Sequence, residues 1–261
     1  MSTENVFQRI EKKYLLTEEK YRQVLSRAEP FIVQDRYPVY SICNIYFDTH
    51  SYDLIRNSVE KPAYKEKLRL RSYGIPKPED TVYLEIKKKW AGTVSKRRIP
   101  MTFEEAEAYL KFGKKPGDSN QILNEIDYFI RFHKPEKKLY LAYDRTAFSA
   151  KQDSSVRITF DHNIRSRSTE LDLAKGDYGD LLLEPKRCLM EIKVPVSLPV
   201  WLTKILSDLE IFPVSFSKYG AVYLGSIAAK SQSMRSISIA SNKKEEGRLC
   251  LQTYSTQQQA I

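Results

Sequence analysis

The sequence predicts an α+β fold in which a closed antiparallel β-barrel is surrounded by helices. In one strand pattern after another, apolar side chains alternate with charged ones, and neighbouring side chains of a strand point to opposite faces. Amphipathic helical patterns separate the strands and can cover the apolar face. The charged face must then line the inside of the barrel.

Length and composition suit one large globular domain. The 261 residues are 41% hydrophobic and 29% charged. Residues 1–230 alternate helix and strand patterns without a linker or repeat, so we predict a single domain there. Residues 231–261 are polar and aperiodic, which predicts a disordered tail. No stretch resembles a membrane helix or a secretory signal, so the expected compartment is the cytoplasm.

Four helices are predicted from their caps and apolar stripes. Thr17, followed by Glu18 and Glu19, suits the start of the first helix. Thr102 and Glu105 have the spacing of a capping box. The third helix starts near residue 120 and the fourth covers 201–209. The apolar stripes comprise Tyr21, Val24, Leu25 and Ala28 in the first helix, Ile122, Ile126, Phe129 and Ile130 in the third, and Trp201, Leu202, Ile205, Leu206 and Leu209 in the fourth.

Seven strands are predicted, and in most of them one face is charged. In KEKLRLRSYG, Lys67, Arg69 and Arg71 alternate with Leu68 and Leu70. One such strand alone is more typical of a sheet with a solvated face. Repeated Arg, Lys and Glu favour an interior, which then needs water, carboxylates and an anionic ligand. The strands are placed near 39–47, 65–73, 81–89, 93–99, 138–148, 155–161 and 188–194.

The charge balance favours a polyanionic partner, and its distribution argues against nucleic acid. The formal net charge is +10. A nucleic-acid surface would carry its cations on helices and loops among aromatic residues, whereas here they alternate within strands. Three cysteines without CxxC spacing indicate neither a disulfide framework nor a zinc site. The sequence therefore predicts a tunnel that binds a phosphate chain.

Eight motifs in order resemble one family. The chain resembles the VTC domain, the polyphosphate polymerase domain of the triphosphate tunnel metalloenzyme superfamily, over residues of about 7 to 225. The resemblance implies an eight-stranded antiparallel tunnel that transfers the terminal phosphate of ATP to polyphosphate with Mg²⁺ or Mn²⁺. The motifs are RIEKKYLL (9–16), YFDT (46–49), KLRLRSYG (67–74), VYLEIKKKWAGTVSKRRI (82–99), YDRTAF (143–148), RITFD (157–161), LMEIKV (189–194) and SFSKYG (215–220).

One departure from the wider superfamily supports the narrower resemblance. CYTH proteins, which hydrolyse triphosphates or cyclise ATP, begin with an ExExK pattern whose glutamates help to hold metal. Here the run is Arg9, Glu11, Lys13. Arginine here takes the place of the first glutamate, which weakens a metal site and adds a phosphate contact. This puts a hydrolase or cyclase function in doubt without excluding it.

The resemblance also implies a set of site residues. Tyr46 and Asp48 are expected to shape the barrel wall, and Glu11 is open between metal ligation and an ion pair with a tunnel lysine. Lys65, Lys88, Lys89 and Arg97 are expected to be solvated charges. The implied catalytic residues are Arg69, Arg71, Lys87, Arg145 and Arg157; the substrate-binding residues are Lys13, Lys96, Arg98, Tyr143, Ser217 and Lys218; the metal ligands are Glu191, with Glu85 and Glu11 as further candidates.

The function implied by this set is ATP-dependent synthesis of inorganic polyphosphate. A tunnel triphosphatase and a non-catalytic polyphosphate sensor remain the alternatives. A membrane-protein partner could place the chain at the inner face of a membrane. The oligomeric state stays open.

Overall fold

A computed structural model describes residues 10–60, 62–91, 93–117 and 120–229. The strands are β1 (Ile10–Thr17), β2 (Ile32–Gln34), β3 (Tyr40–Asp48), β4 (Tyr64–Tyr73), β5 (Thr81–Trp90), β6 (Thr93–Thr102), β7 (Glu136–Ala150), β8 (Arg157–Arg167), β9 (Asp180–Leu181) and β10 (Arg187–Val194). The helices are α1 (Glu18–Ala28), α2 (Asp53–Val59), α3 (Phe103–Phe112), α4 (Gln121–His133) and α5 (Val200–Asp208), with a 3-10 turn at Leu173–Lys175 and a further helix over 218–229.

The strands form one antiparallel sheet that confirms the predicted tunnel fold. Its main path has the order β1-β10-β8-β7-β3-β4-β5-β6, and the short strands β2 and β9 pair with β7 and β8. All the ladders among the described residues are antiparallel. In this order β1 and β6 form the two ends, and no ladder joins them among the described residues, so the closure of the barrel stays a prediction.

The predicted helices lie on the outer face of the sheet. One apolar core joins α3 and α4 to the outward side chains of β3 to β6, including Leu68, Leu70 and Leu84. A second joins α1 and α5 to those of β1, β8 and β10. Because leucine fills the outer cores, the alternating charged residues are left on the inner face.

Local capping fixes where the helices begin. Thr17 accepts a hydrogen bond from the backbone of Lys20 at the start of α1. Thr102 and Glu105 form the predicted capping box of α3, and Asn120 caps α4. These contacts satisfy N–H groups that lack a partner within the helix.

The sequence patterns missed β1, α2, the short strands β2 and β9, and the helix over 218–229. The first two bear on the site. β1 is a strand although its doublets Lys12-Lys13 and Leu15-Leu16 obscure the alternation. α2 begins where the buried Asp48 carboxylate accepts hydrogen bonds from the backbone N–H groups of Leu54 and Ile55, at 2.9 Å each. That cap depends on tertiary structure, so no local sequence pattern predicts it.

The contacts divide the chain into a unit of residues 1–220, which contains the sheet and both cores, and a unit of residues 221–261. Of the second unit, 221–229 are described and helical. The predicted tail, residues 231–261, and Arg9 lie outside the described residues, so the boundary near residue 230 stays a prediction.

Candidate active site

Strand register assembles the charged residues of β4, β5 and β6 into rows across the inner face. Arg69 lies opposite Glu85, which lies opposite Arg98. The neighbouring row consists entirely of lysines, with Lys67 opposite Lys87 and Lys87 opposite Lys96. The sequence alternation therefore places two rows of different charge next to each other.

Glu85 is the centre of the first row. It is 2% exposed, and its Oε2 accepts from Arg69 Nε at 2.7 Å and Nη2 at 2.6 Å. Arg71 Nη1 and Lys96 Nζ lie 3.7 Å and 3.4 Å from Oε1. Burial raises the pKa of Glu85, but Arg69, Arg71 and Lys96 outweigh it and lower the pKa to about 2. Glu85 is therefore ionised and holds the arginine forks in place.

Two tyrosines complete the positioning of these arginines. Arg69 Nη1 donates to the Tyr46 hydroxyl at 3.0 Å, and Arg71 Nη2 donates to the Tyr143 hydroxyl at 3.4 Å. Arg71 Nε also donates to Asn44 Oδ1 at 3.0 Å. Burial raises the pKa of both tyrosines, yet the surrounding cations lower it overall. Tyr46 thus belongs to the charged interior, beyond the wall-forming part expected from sequence.

A second buried pair links β7, β8 and the segment after α5. Arg145 donates to both oxygens of Asp161, at 2.7 Å and 2.9 Å, and Lys218 Nζ contacts Asp161 Oδ2 at 2.6 Å. Both cations also lie over the ring of Tyr143, at 5.1 Å and 4.4 Å from its centroid. Burial raises the pKa of Asp161, but Lys218 and Arg145 lower it overall. Asp161 was absent from the predicted set, although it shares the strand face of Arg157 and Thr159.

The β1–β10 ladder supplies a third group of charges. Lys13 lies 3.1 Å from Glu11 Oε1 and 3.9 Å from Glu191 Oε2, and it donates to the carbonyl of Phe216 at 3.2 Å. Lys193 contacts Glu191 Oε1 at 2.6 Å. Burial raises the pKa of Glu191, but Lys193 and Lys13 lower it well below its usual range. The structure thus shows an ion pair for Glu11, and Glu191 Oε2 is the less engaged of its two oxygens.

The lysine row lacks matching carboxylates. Lys67 donates only weakly to Ser217 Oγ, at 3.4 Å, and Lys96 shares Glu85 with two arginines. Among the described residues, the side chain of Lys87 forms no hydrogen bond or ion pair. Burial between protein walls and neighbouring cations lower the pKa of Lys67 to about 8, that of Lys96 to about 7, and that of Lys87 as well. The tunnel remains wet, because the Lys96 side chain is 43% exposed. The positive charge of these three lysines is therefore only partly offset by carboxylates of the described residues.

The other predicted site residues lie further out. Arg98 stacks on Tyr83, 4.7 Å from the ring centroid. Arg157 shares the inner face of β8 but pairs with Asp35 near the end of the tunnel. Ser217 accepts from Lys67 and from the backbone of Gly220, at 3.2 Å.

The outward cations have counterions on α4, which corrects part of the sequence interpretation. Lys88 and Arg97 contact Glu125 of α4 at 2.8 Å and 3.3 Å instead of being solvated. Lys65, which has the parity of Lys67, has a different partner and donates to the backbone carbonyl of Ser58 in α2 at 3.2 Å. Parity correctly keeps Lys88 and Arg97 out of the tunnel, where the cations outnumber the carboxylates Glu11, Glu85, Asp161 and Glu191.

The predicted metal ligands Glu85 and Glu191 fit a divalent cation that is also bound by the phosphates of a ligand. In the described part of the chain, no three His, Cys, Asp or Glu side chains are grouped to hold a metal ion. Mg²⁺ commonly uses one or two carboxylates together with substrate phosphates. Glu85 Oε1 is buried without a hydrogen-bond partner, and Glu191 Oε2 has only Lys13 at 3.9 Å. These two oxygens are the available anionic donors.

Comparison with known proteins agrees with this architecture. A family model described as the VTC domain matches residues 8–225. Subunit 4 of the vacuolar transporter chaperone complex of Schizosaccharomyces pombe is 30% identical over an alignment of 146 residues, which covers 48% of this chain and 20% of that protein.

Two solved structures share the fold at low sequence identity. A Bacillus halodurans protein provisionally assigned as an adenylate cyclase has a TM-score of 0.51 and 18% identity, covering 80% of this chain and 92% of its own. The Hippeastrum protein HpAC1, provisionally assigned as an adenylyl cyclase with a dominant triphosphatase activity, has a TM-score of 0.52 and 15% identity. That alignment covers 84% of this chain and 96% of HpAC1.

Proposed function

Because the chain belongs to the VTC domain family, we propose that it is a polyphosphate polymerase that transfers the terminal phosphate of ATP to inorganic polyphosphate. The observation that carries the proposal is the lysine row Lys67, Lys87 and Lys96, in which only Lys96 contacts a carboxylate, and that carboxylate, Glu85, is shared with two arginines. A chain of phosphates supplies the missing charge along the whole tunnel.

The charged groups meet the main requirements of phosphoryl transfer. Its transition state spreads negative charge over the equatorial phosphate oxygens, so catalysis depends on alignment and neutralisation. Arg69, Arg71 and Arg145 offer forks held by Glu85, Asn44 and Asp161. Arginine suits paired phosphate oxygens, whereas lysine supplies a point charge. The lysine row then offsets the negative charge of the phosphate oxygens that the arginines do not contact.

No protein nucleophile is needed for this reaction. A terminal oxygen of polyphosphate forms a bond to the γ-phosphorus of ATP, the bond from that phosphorus to the β–γ bridging oxygen breaks, and ADP leaves. The histidines lie elsewhere: His50 contacts Glu136, His133 contacts Glu66, and His162 packs on Tyr21. The residues of the tunnel therefore bind and align the two phosphate groups.

Glu191 and Glu85 would hold a divalent ion, Mg²⁺ or Mn²⁺, together with the phosphates. Such an ion neutralises phosphate charge and favours anionic oxygen ligands. Lys13 and Lys193 hold Glu191 beside the arginine groups. The assignment is supported by the two carboxylate oxygens that lack close partners.

A partner at a membrane is part of the proposal. The relative from Schizosaccharomyces pombe is named as a subunit of a complex, and this chain spans only a fifth of its length. Within the described residues, we find no helix that is long and apolar enough to span a bilayer. The membrane-protein partner in the proposal rests on the relative being named as a subunit of a complex.

The direct test is product analysis. The full chain is incubated with ATP and Mn²⁺, and the products are resolved by gel electrophoresis and phosphorus NMR, with Lys87→Met as the matched variant. Long-chain polyphosphate from the wild type, much reduced in the variant, is the expected result. Free phosphate alone would indicate a triphosphatase, and no product with retained binding would indicate a sensor; either outcome contradicts the polymerase.

A further inference from the structure

Three tyrosines form a cluster at the end of the tunnel beside the arginines. The ring centroids of Tyr40 and Tyr73 lie 5.9 Å apart, as do those of Tyr73 and Tyr83. Tyr73 is 50% exposed, while Tyr40 and Tyr83 are partly buried. Two fixed neighbours therefore hold a ring that still presents free surface.

Strand register connects this cluster to the phosphate-binding residues. Tyr83 lies opposite Arg71, and Tyr40 lies opposite Arg145. Tyr73 follows Arg71 by two residues on the same face of β4, a separation of about 7 Å along the strand. A ligand whose phosphates contact Arg71 can thus stack an aromatic ring on the tyrosine cluster.

The charges around the cluster favour a neutral aromatic group attached to an anion. Arg98 occupies one side of Tyr83, at 4.7 Å from its centroid, and Arg157 is neutralised by Asp35. Tyrosine rings stack on the π-face of any base. The cluster is therefore suited to a nucleobase and the adjacent arginines to its phosphates.

We propose that Tyr73, supported by Tyr40 and Tyr83, is the platform on which the base of the nucleoside triphosphate donor stacks. This inference rests on the proposed function, since it gives the donor of that reaction an orientation: base at the tyrosine cluster, triphosphate at Arg71 and Arg69. Stacking without a fixed hydrogen-bond pattern accepts adenine and guanine alike. The substrate class is accordingly nucleoside triphosphates in general rather than ATP alone.

The test compares a ligand that has a base with one that has none. Binding of ATP, GTP and tripolyphosphate to the full chain is measured by calorimetry without divalent metal, so that no turnover occurs. Tyr73→Leu should weaken ATP and GTP binding about 10-fold while tripolyphosphate binding stays within about twofold. Tyr73→Phe should retain wild-type affinity for all three ligands, because the ring is kept.

The control is Tyr128→Leu, which removes a 63% exposed aromatic ring from α4, outside the tunnel. It should change none of the affinities. Equal loss for ATP and tripolyphosphate in Tyr73→Leu, or no loss for either, would overturn the platform. A wild type that binds these ligands but makes no polymer would sink the proposed function, while the ratio of the two affinities would still decide the platform.

Discussion

The arginines and the lysines of the tunnel are held in opposite ways. Arg69 and Arg145 each place their fork on a buried carboxylate, Glu85 or Asp161. Lys87, in the neighbouring row, makes no such contact among the described residues. A paired cation is held rigidly before any ligand arrives, whereas an unpaired one is destabilised until an anion binds. The same tunnel thus combines a preorganised part with a part that requires its ligand.

The first way to break this comparison is to remove a paired arginine, and here we expect the largest effect. Arg69→Met leaves Glu85 buried with only the longer contacts to Arg71 and Lys96. Unfolding free energy, measured in urea, should fall by about 2–4 kcal/mol, because an uncompensated buried charge remains. Polymer synthesis should fall about 10²-fold or more.

The matched control is Arg97→Met, which removes a cation from the outer face of the same sheet. Its polymer synthesis should equal that of the wild type. An Arg69→Met protein as stable as the wild type would show that the Glu85 pair is not structural.

The second comparison concerns the carboxylates, and the expected effect is smaller. Glu191→Gln keeps the size and an oxygen donor but loses the charge. Because hard divalent ions favour anionic oxygen, the metal concentration for half-maximal synthesis should rise several-fold. Metal titrations of wild type and variant that superimpose after scaling would assign Glu191 to neutralising Lys193 and Lys13 alone.

The smallest expected effect is the pH dependence of the ligand-free protein. Folding lowers the pKa of Lys96 to about 7 and of Lys67 to about 8, so the unfolded chain binds more protons between these values and the ordinary lysine pKa. Stability from this source should therefore rise with pH from about 7 to 10. Melting temperatures across that range should show a shallower slope in Lys67→Met/Lys96→Met than in the wild type.

Lys88→Met is the control for that slope, since Lys88 lies on the outer face. If the melting temperature of the double variant depends on pH as steeply as that of Lys88→Met, the lowered pKa of Lys67 and Lys96 would be refuted.

Strand parity predicted most of the inner face, because alternation is a local property that register preserves. Arg69, Arg71, Glu85, Lys87 and Lys96 all lie where the alternation placed them. The pairing between strands could not be obtained in this way. Which carboxylate meets which arginine depends on the sheet order and on contacts such as Arg145 with Asp161.

The residues that sequence reasoning missed are those whose role comes from distant partners. Asp161 becomes part of the site because both Arg145 and Lys218 contact its carboxylate. Lys218 lies 57 residues further along the chain. Tyr46 enters it through the guanidinium of Arg69. The sequence showed that they share a strand face with predicted site residues, but it did not show their partners.

The central claim is that the lysine row, whose charge the protein neutralises only in part, binds the phosphate chain. Its most direct test is the affinity of a pair of variants for tripolyphosphate. Lys87→Met removes a lysine from the row, and Lys88→Met removes its sequence neighbour from the outer face. Calorimetry should show binding weakened about 10-fold or more in Lys87→Met, with Lys88→Met and the wild type indistinguishable. Equal affinities in the two variants would contradict the claim.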